Sequence, residues 1–225
     1  ALMSIGYFGA SMFLRWMNTP KEVMGDSLVY LRIFFLGIIF VFIYNVGSGI
    51  LRSVGDSKRP LYYLIVCCFL NIGLDLLLVL GFDMGIAGAA IATVVSQAIS
   101  AILILLTLLR TDDIYKLYIS KISFCAESLS NILRIGVPTG LQGVMYSVSN
   151  IIIQTSLNAL GTDTVAAWTA FSKMDAFYWM VITGFGIAIT TFVGQNYGAR
   201  KYDRVMKSVN VCVKLTLAVS IGMSI

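Results

Sequence analysis

An asparagine and an aspartate four residues apart, Asn71 and Asp75, stand inside the otherwise apolar run Leu70 to Leu80. Spacing of four puts both on one face of a helix. An aspartate at the centre of a bilayer costs about 2.5–3.5 kcal/mol on insertion scales, so such a residue calls for a reason. Thr93, in the next apolar run, brings a hydroxyl to similar depth. Tyr30, near the outer start of the preceding run, brings a phenol. Carboxylate, amide, hydroxyl and phenol together suit a hard monovalent cation or a proton. The alternative is a neutral, hydrogen-bonded aspartate that only locks helices together.

A second polar group lies further along the chain. Gln142, Tyr146, Asn150, Gln154 and Asn158 recur every four residues, with Ser149 beside them. Such a stripe faces a cavity or another helix, not lipid. Lys173 and Asp175 are two apart and do not share a helix face. They sit near the outer end of a long segment, where Lys173 could snorkel outward; the alternative is a substrate-cleft role. Arg32 reads as a snorkelling or structurally paired cation.

These residues need helices in lipid to hold them. The chain has 225 residues, of which 58% are hydrophobic and 12% charged. A soluble domain is roughly a quarter charged, and no soluble core of this length hides so much apolar surface. A soluble enzyme is excluded, as is disorder. The sequence contains no histidine, which removes His-based catalysis and His metal ligands. Cys67, Cys68, Cys125 and Cys212 form no CxxC pair. No intramembrane aspartate pair or HExxH motif is present, so the chain is not expected to be an enzyme.

A membrane span needs about 20 mostly apolar residues. Five stretches qualify, at 28–50, 61–81, 86–109, 136–158 and 170–193, with partial spans at 1–14 and 209–225. The chain opens without a signal-peptide pattern. It closes inside an apolar run, and it reads as a piece of a longer membrane protein. The polar stretch 110–135 is the one boundary between two bundles. Thr19, Pro20 and Glu22 form a capping box that starts the second helix near Pro20. Pro138 sits one or two turns inside a helix. Gly88, Ala92 and Ser96 form a row of small residues that allows close helix packing.

Alternate links carry the basic residues. Arg52, Lys58, Arg59, Arg110, Lys116, Lys121, Arg134, Arg200, Lys201, Arg204 and Lys207 fall on one side, against Arg15 and Lys21 on the other. That side is expected to be cytoplasmic. The topology rule accounts for these charges, so nucleic acid is not expected as a partner.

The order of motifs resembles the multidrug and toxic compound extrusion (MATE) family, in a bacterial branch. The strings are Tyr30-Leu31-Arg32-Ile33, Gly49 to Ser57, Leu70 to Asp75, Gly85 to Thr93, Gly136 to Gln142 and Gly194 to Arg200. Together they cover nearly the whole chain. The resemblance implies an all-α, polytopic two-lobe transporter fold, here from about the family's third helix to its ninth. It implies residues 1–110 in the N-terminal lobe, 111–127 as a cytoplasmic linker and 128–225 in the C-terminal lobe. It implies a plasma-membrane antiporter that exports amphipathic, often cationic compounds against inward proton or sodium flow, monomeric when full length. In the family's first-lobe coupling site, Asn71, Asp75, Thr93 and Tyr30 match by motif and spacing. No cofactor is implied beyond that sodium ion or proton. Some branches carry a carboxylate after the Gly-x-Pro; here Gly140 to Asn158 holds none. The substrate cleft is expected at Gln142, Tyr146, Asn150, Gln154, Lys173 and Asp175. A lipid-linked precursor flippase of the same superfamily, or a non-transporting bundle, is the alternative.

Overall fold

In a bilayer every backbone N–H and C=O must be satisfied within the chain, and helices do this locally. The computed structural model describes residues 2–16, 21–158 and 161–224, and all regular structure among them is helical. Among the described residues seven α-helices follow one another: α1 (Leu2–Trp16), α2 (Lys21–Ser53), α3 (Lys58–Asp75), α4 (Gly85–Arg110), α5 (Ala126–Asn158), α6 (Thr162–Gly198) and α7 (Tyr202–Ser224). The expected capping residues Thr19 and Pro20 lie outside the described residues.

The helices overrun the apolar stretches, because hydrogen bonding continues into the interface after the hydrophobic pattern stops. Two expectations change as a result. The run expected as a partial span at 209–225 belongs to a helix that begins at Tyr202, and this helix is long and apolar enough to cross a membrane. The helices α2, α4, α6 and α3 with its extension also qualify. The stretch 136–158, expected as a complete span, lies in α5, which does not reach the same apolar standard. Its second half carries Ser147, Ser149, Asn150, Gln154, Thr155 and Ser156. Most of its hydroxyls donate to the carbonyl four residues back, as Ser147 does to Gly143 (3.0 Å) and Thr155 to Ile151 (2.8 Å). A hydroxyl on a largely exposed helix is satisfied within its own helix in this way. Pro138 lies about three turns inside α5, deeper than expected, because the helix starts at Ala126.

The chain divides into two compact units, Ala1–Tyr118 and Ile119–Ile225. In the first, α4 packs against both α2 and α3, and α1 packs on α2. The buried face of α4 is built from small residues: Gly88, Ala90, Ala92, Ser96, Ser100 and Ala101. The row expected from spacing is thus the packed one. Glycine is needed on the partner too: a Cβ at Gly47 would lie 2.8 Å from Ile104 Cγ1, and one at Gly37 would lie 2.5 Å from Val94 Cγ2. Leu51, Ile104 and Leu108 close the end of this unit, with Tyr115 and Leu117 packed against them. The Leu117 amide donates to Leu108 O (2.8 Å), so residues 111–118 of the expected linker fold back onto the first unit. The start of α3 is tied down by Asp56. Its Oδ1 accepts from the Arg59 amide (3.1 Å) and its Oδ2 pairs with the guanidinium (3.2 Å). Arg59 also donates to the Tyr115 hydroxyl (3.3 Å).

In the second unit α6 packs against α7, and Tyr178 and Ser220 share a hydroxyl–hydroxyl hydrogen bond (3.1 Å). Most of α5 is exposed. Outside the helices, Lys116 is held protonated beyond the usual lysine range by its hydrogen bond to Asp112 (3.0 Å) and the charge behind it.

Candidate functional site

Asn71 and Asp75 occupy the last turns of α3, one turn apart and half-buried. Asp75 Oδ1 and Asn71 Nδ2 are both buried without a hydrogen-bond partner. Buried polar atoms are nearly always paired, and leaving one unmade costs about 1–3 kcal/mol, more for a charge. The two atoms lie a single turn apart at the end of α3. Turning the Asn71 amide over places its oxygen where Nδ2 lies, which presents two oxygens on one face.

The backbone changes geometry at the same place. From Leu76 to Gly81 the helix is wound as a π-helix, and Asp75 is the residue from which it departs. Phe82 N donates to Leu77 O (3.0 Å) and Met84 N to Leu78 O (3.0 Å) to end it. π-turns occur mostly as short insertions and are frequent at functional sites. The first turn of α4 sits on this segment: a Cβ at Gly88 would lie 3.2 Å from the Leu78 carbonyl carbon. The return is made by Asp83 (φ 53°) and Gly85 (φ 52°), in the turn expected at 82–85.

The other two expected members are placed differently. Thr93 is half-buried on α4, which packs on α3. Its hydroxyl donates to Ala89 O (3.0 Å), so only its lone pairs are available to a cation. Tyr30 is exposed on α2, and its ring stacks on Phe34 at 6.4 Å. Neither Asp75 nor Asn71 hydrogen-bonds it.

The expected cleft residues do not form one cluster. Gln142, Tyr146, Asn150 and Gln154 stand on exposed turns of α5; the side chain of Asn158 lies outside the described residues. Asp175 lines a cavity of about 560 Å³ between α6 and α7, with Phe171, Met174, Phe177, Tyr178 and Met223. Aromatic walls and one carboxylate suit an organic cation. Lys173 is exposed, does not line that cavity, and forms no ion pair with Asp175.

Arg32, expected as a snorkelling or structurally paired cation, stands among the polar features of the first unit, and sequence reasoning missed the buried hydroxyls of that unit. Arg32 lies over the Tyr7 ring (5.4 Å to its centre), with its Nε buried and unpartnered. Ser48, Ser96 and Ser100 are fully buried with unpartnered hydroxyls. The spacing of Ser96 and Ser100 on α4 was the available signal; Ser48 comes from α2 and had none. The run Leu76 to Leu80 contains nothing that marks a π-helix.

The MatE family model matches residues 1–77 and 138–225. The chain is 34% identical over 223 residues to the "Probable multidrug resistance protein YoeA" of Bacillus subtilis, covering 95% of this chain and 48% of the relative. It is 25% identical over 218 residues to the "Multidrug export protein MepA" of Staphylococcus saprophyticus, covering 97% of this chain and 48% of that one. Among solved structures, a MATE protein in the bent conformation superposes with a TM-score of 0.90 at 25% identity, over 98% of this chain and 50% of that one. The chain thus spans about half the length of the curated relatives it matches.

Proposed function

Because the chain belongs to the MatE family, we propose that it is part of a bacterial plasma-membrane antiporter. This antiporter exports amphipathic, often cationic compounds in exchange for protons or sodium ions taken up at Asp75. The observation that carries the coupling reading is the pair of buried, unpartnered polar atoms on Asp75 and Asn71.

The physical argument is short. A carboxylate in a poorly solvated place is stabilised by taking up a proton or a cation. In this reading Asn71, with its amide turned over, and Thr93 on the packed α4 contribute neutral oxygens, which ease dehydration of the ion without adding charge. If two states of the transporter hold Asp75 in different surroundings, they differ in cation affinity, and that difference shifts the balance between them. Occupied Asp75 favours one opening; empty Asp75 favours the other. The membrane potential adds about 2.3 kcal/mol per charge moved through 100 mV. The departure from α geometry at Asp75 supports this reading, since π-turns are frequent at functional sites. On the substrate side, Asp175 with its aromatic walls supplies the attraction for a cation.

The test is Asp75→Asn in the full-length protein, with drug resistance in cells and ion-driven dye export in vesicles. Resistance is expected to fall to that of cells lacking the transporter, at normal protein levels. Wild-type export by Asp75→Asn would overturn the coupling reading. Vesicles with a sodium gradient alone or a proton gradient alone then identify the ion.

A further inference from the structure

Between α6 and α7 lies a second groove, of about 580 Å³, whose two ends differ in chemistry. One end is the start of α7, where Arg204 and Lys207 line it. The rest is walled by apolar side chains, among them Phe185, Ile189, Phe192, Val211 and Leu215. The α7 contributions recur at three and four residues, so they form one continuous face of that helix. From Arg204 to Leu215 the face extends about 16 Å at 1.5 Å per residue. That is about half of a 30 Å hydrocarbon core, the depth of a single leaflet.

Charge decides what fits. Residues 200–207 hold four basic side chains and one acidic one, Asp203. Asp203 makes no ion pair with Arg204 or Lys207, and neither cation has another partner among the described residues. A cationic export substrate would be repelled at this end. A neutral helix laid over the groove would bury two uncompensated charges, which is costly. A molecule with an anionic head and an apolar tail meets both ends. Tyr197 and Tyr202, packed edge to face at 5.6 Å, stand by the basic turn, at the level where aromatic residues meet headgroups.

We propose that this groove is a binding site for an anionic phospholipid of the leaflet facing the α6–α7 turn. Its phosphate is held by Arg204 and Lys207 and one acyl chain lies along Phe185, Ile189 and Leu215. Arginine forks onto phosphate oxygens while lysine acts as a point charge. Ala188 lines the groove as its smallest apolar wall residue, leaving room for the chain.

The experiment uses the full-length protein, stripped of lipid in detergent and offered equal amounts of dioleoylphosphatidylglycerol and dioleoylphosphatidylcholine, with native mass spectrometry as the readout. Wild type is expected to retain the phosphatidylglycerol preferentially. Two basic groups at about 1 kcal/mol each correspond to a roughly thirtyfold preference, and Arg204→Gln/Lys207→Gln should abolish it. Ala188→Trp, which fills the groove and leaves both charges, should release the lipid while the melting temperature stays that of wild type. Lys58→Gln, a basic position in the other unit, should change nothing. Inorganic phosphate should fail to displace the lipid, since it lacks the chain; displacement would mean a free-anion site and overturn the proposal. Undiminished phosphatidylglycerol retention by the double glutamine variant, or an equal loss in Lys58→Gln, would overturn it as well. So would wild type that retains neither lipid, the result if another helix of the whole protein covers the groove.

Discussion

The two units of this chain use the same residue types to opposite effect. Gly37, Gly47 and Gly88 in the first unit each face a neighbouring element closely enough that a Cβ would press on it. Gly184, Gly186 and Gly194 on α6 face nothing within 4 Å. In the first unit, α4 offers a small-residue face, so helices approach until the hydroxyls of Ser48, Ser96 and Ser100 and single polar atoms of Asn71 and Asp75 are buried. In the second, grooves remain between α6 and α7, lined in part by Phe, Tyr and Met side chains. Close packing makes polar atoms expensive and therefore useful as switches, whereas open packing makes room for molecules.

The sharpest way to break this comparison is to neutralise the acid in each unit. Asp75→Asn should stop coupled export of every compound. Asp175→Asn should raise the KM for cationic dyes, by about tenfold for the loss of one partly desolvated charge interaction, and leave neutral amphipathic compounds unaffected. If both variants behave alike in transport assays, the division between ion site and substrate cavity is wrong.

Glycine replacement is next in size and should differ in sign. Gly47→Ala pushes a methyl group against Ile104, which is fully buried and cannot swing away. A loss of about 1–3 kcal/mol is expected from overpacking. Gly186→Ala meets nothing and removes backbone freedom from a helix, a gain of roughly 0.5–1 kcal/mol. Thermal unfolding in detergent measures both, and equal losses would show that the α6 face is covered in the whole protein.

A smaller effect is expected at Tyr63, whose hydroxyl hydrogen-bonds Thr107 across α3 and α4. Tyr63→Phe should cost about 1 kcal/mol in the same unfolding assay. The smallest concerns Lys116. Its raised pKa means that its pairing with Asp112 is intact at neutral pH and is lost as pH rises through the lysine's own titration. Both groups are on the surface, so Lys116→Met should leave the melting temperature indistinguishable from wild type.

Composition alone places this chain in lipid, because no other solvent accepts so apolar a surface. Helices, the pairing of Asn71 with Asp75 on one face, the Gly88–Ala92–Ser96 row and the turn at 82–85 were all readable in the sequence. Each depends on residues within a turn or two of one another, and in lipid the backbone must bond locally. The tertiary structure decided the rest. It left Asp75 Oδ1 and Asn71 Nδ2 without partners and wound the backbone as a π-helix beside Gly88. It folded Tyr115 and Leu117 back onto Leu108, and it placed Asp175, not Lys173, in a cavity. These outcomes depend on which side chain a distant helix brings alongside. Spacing along one helix carries no record of that neighbour, so only the packed structure could reveal it.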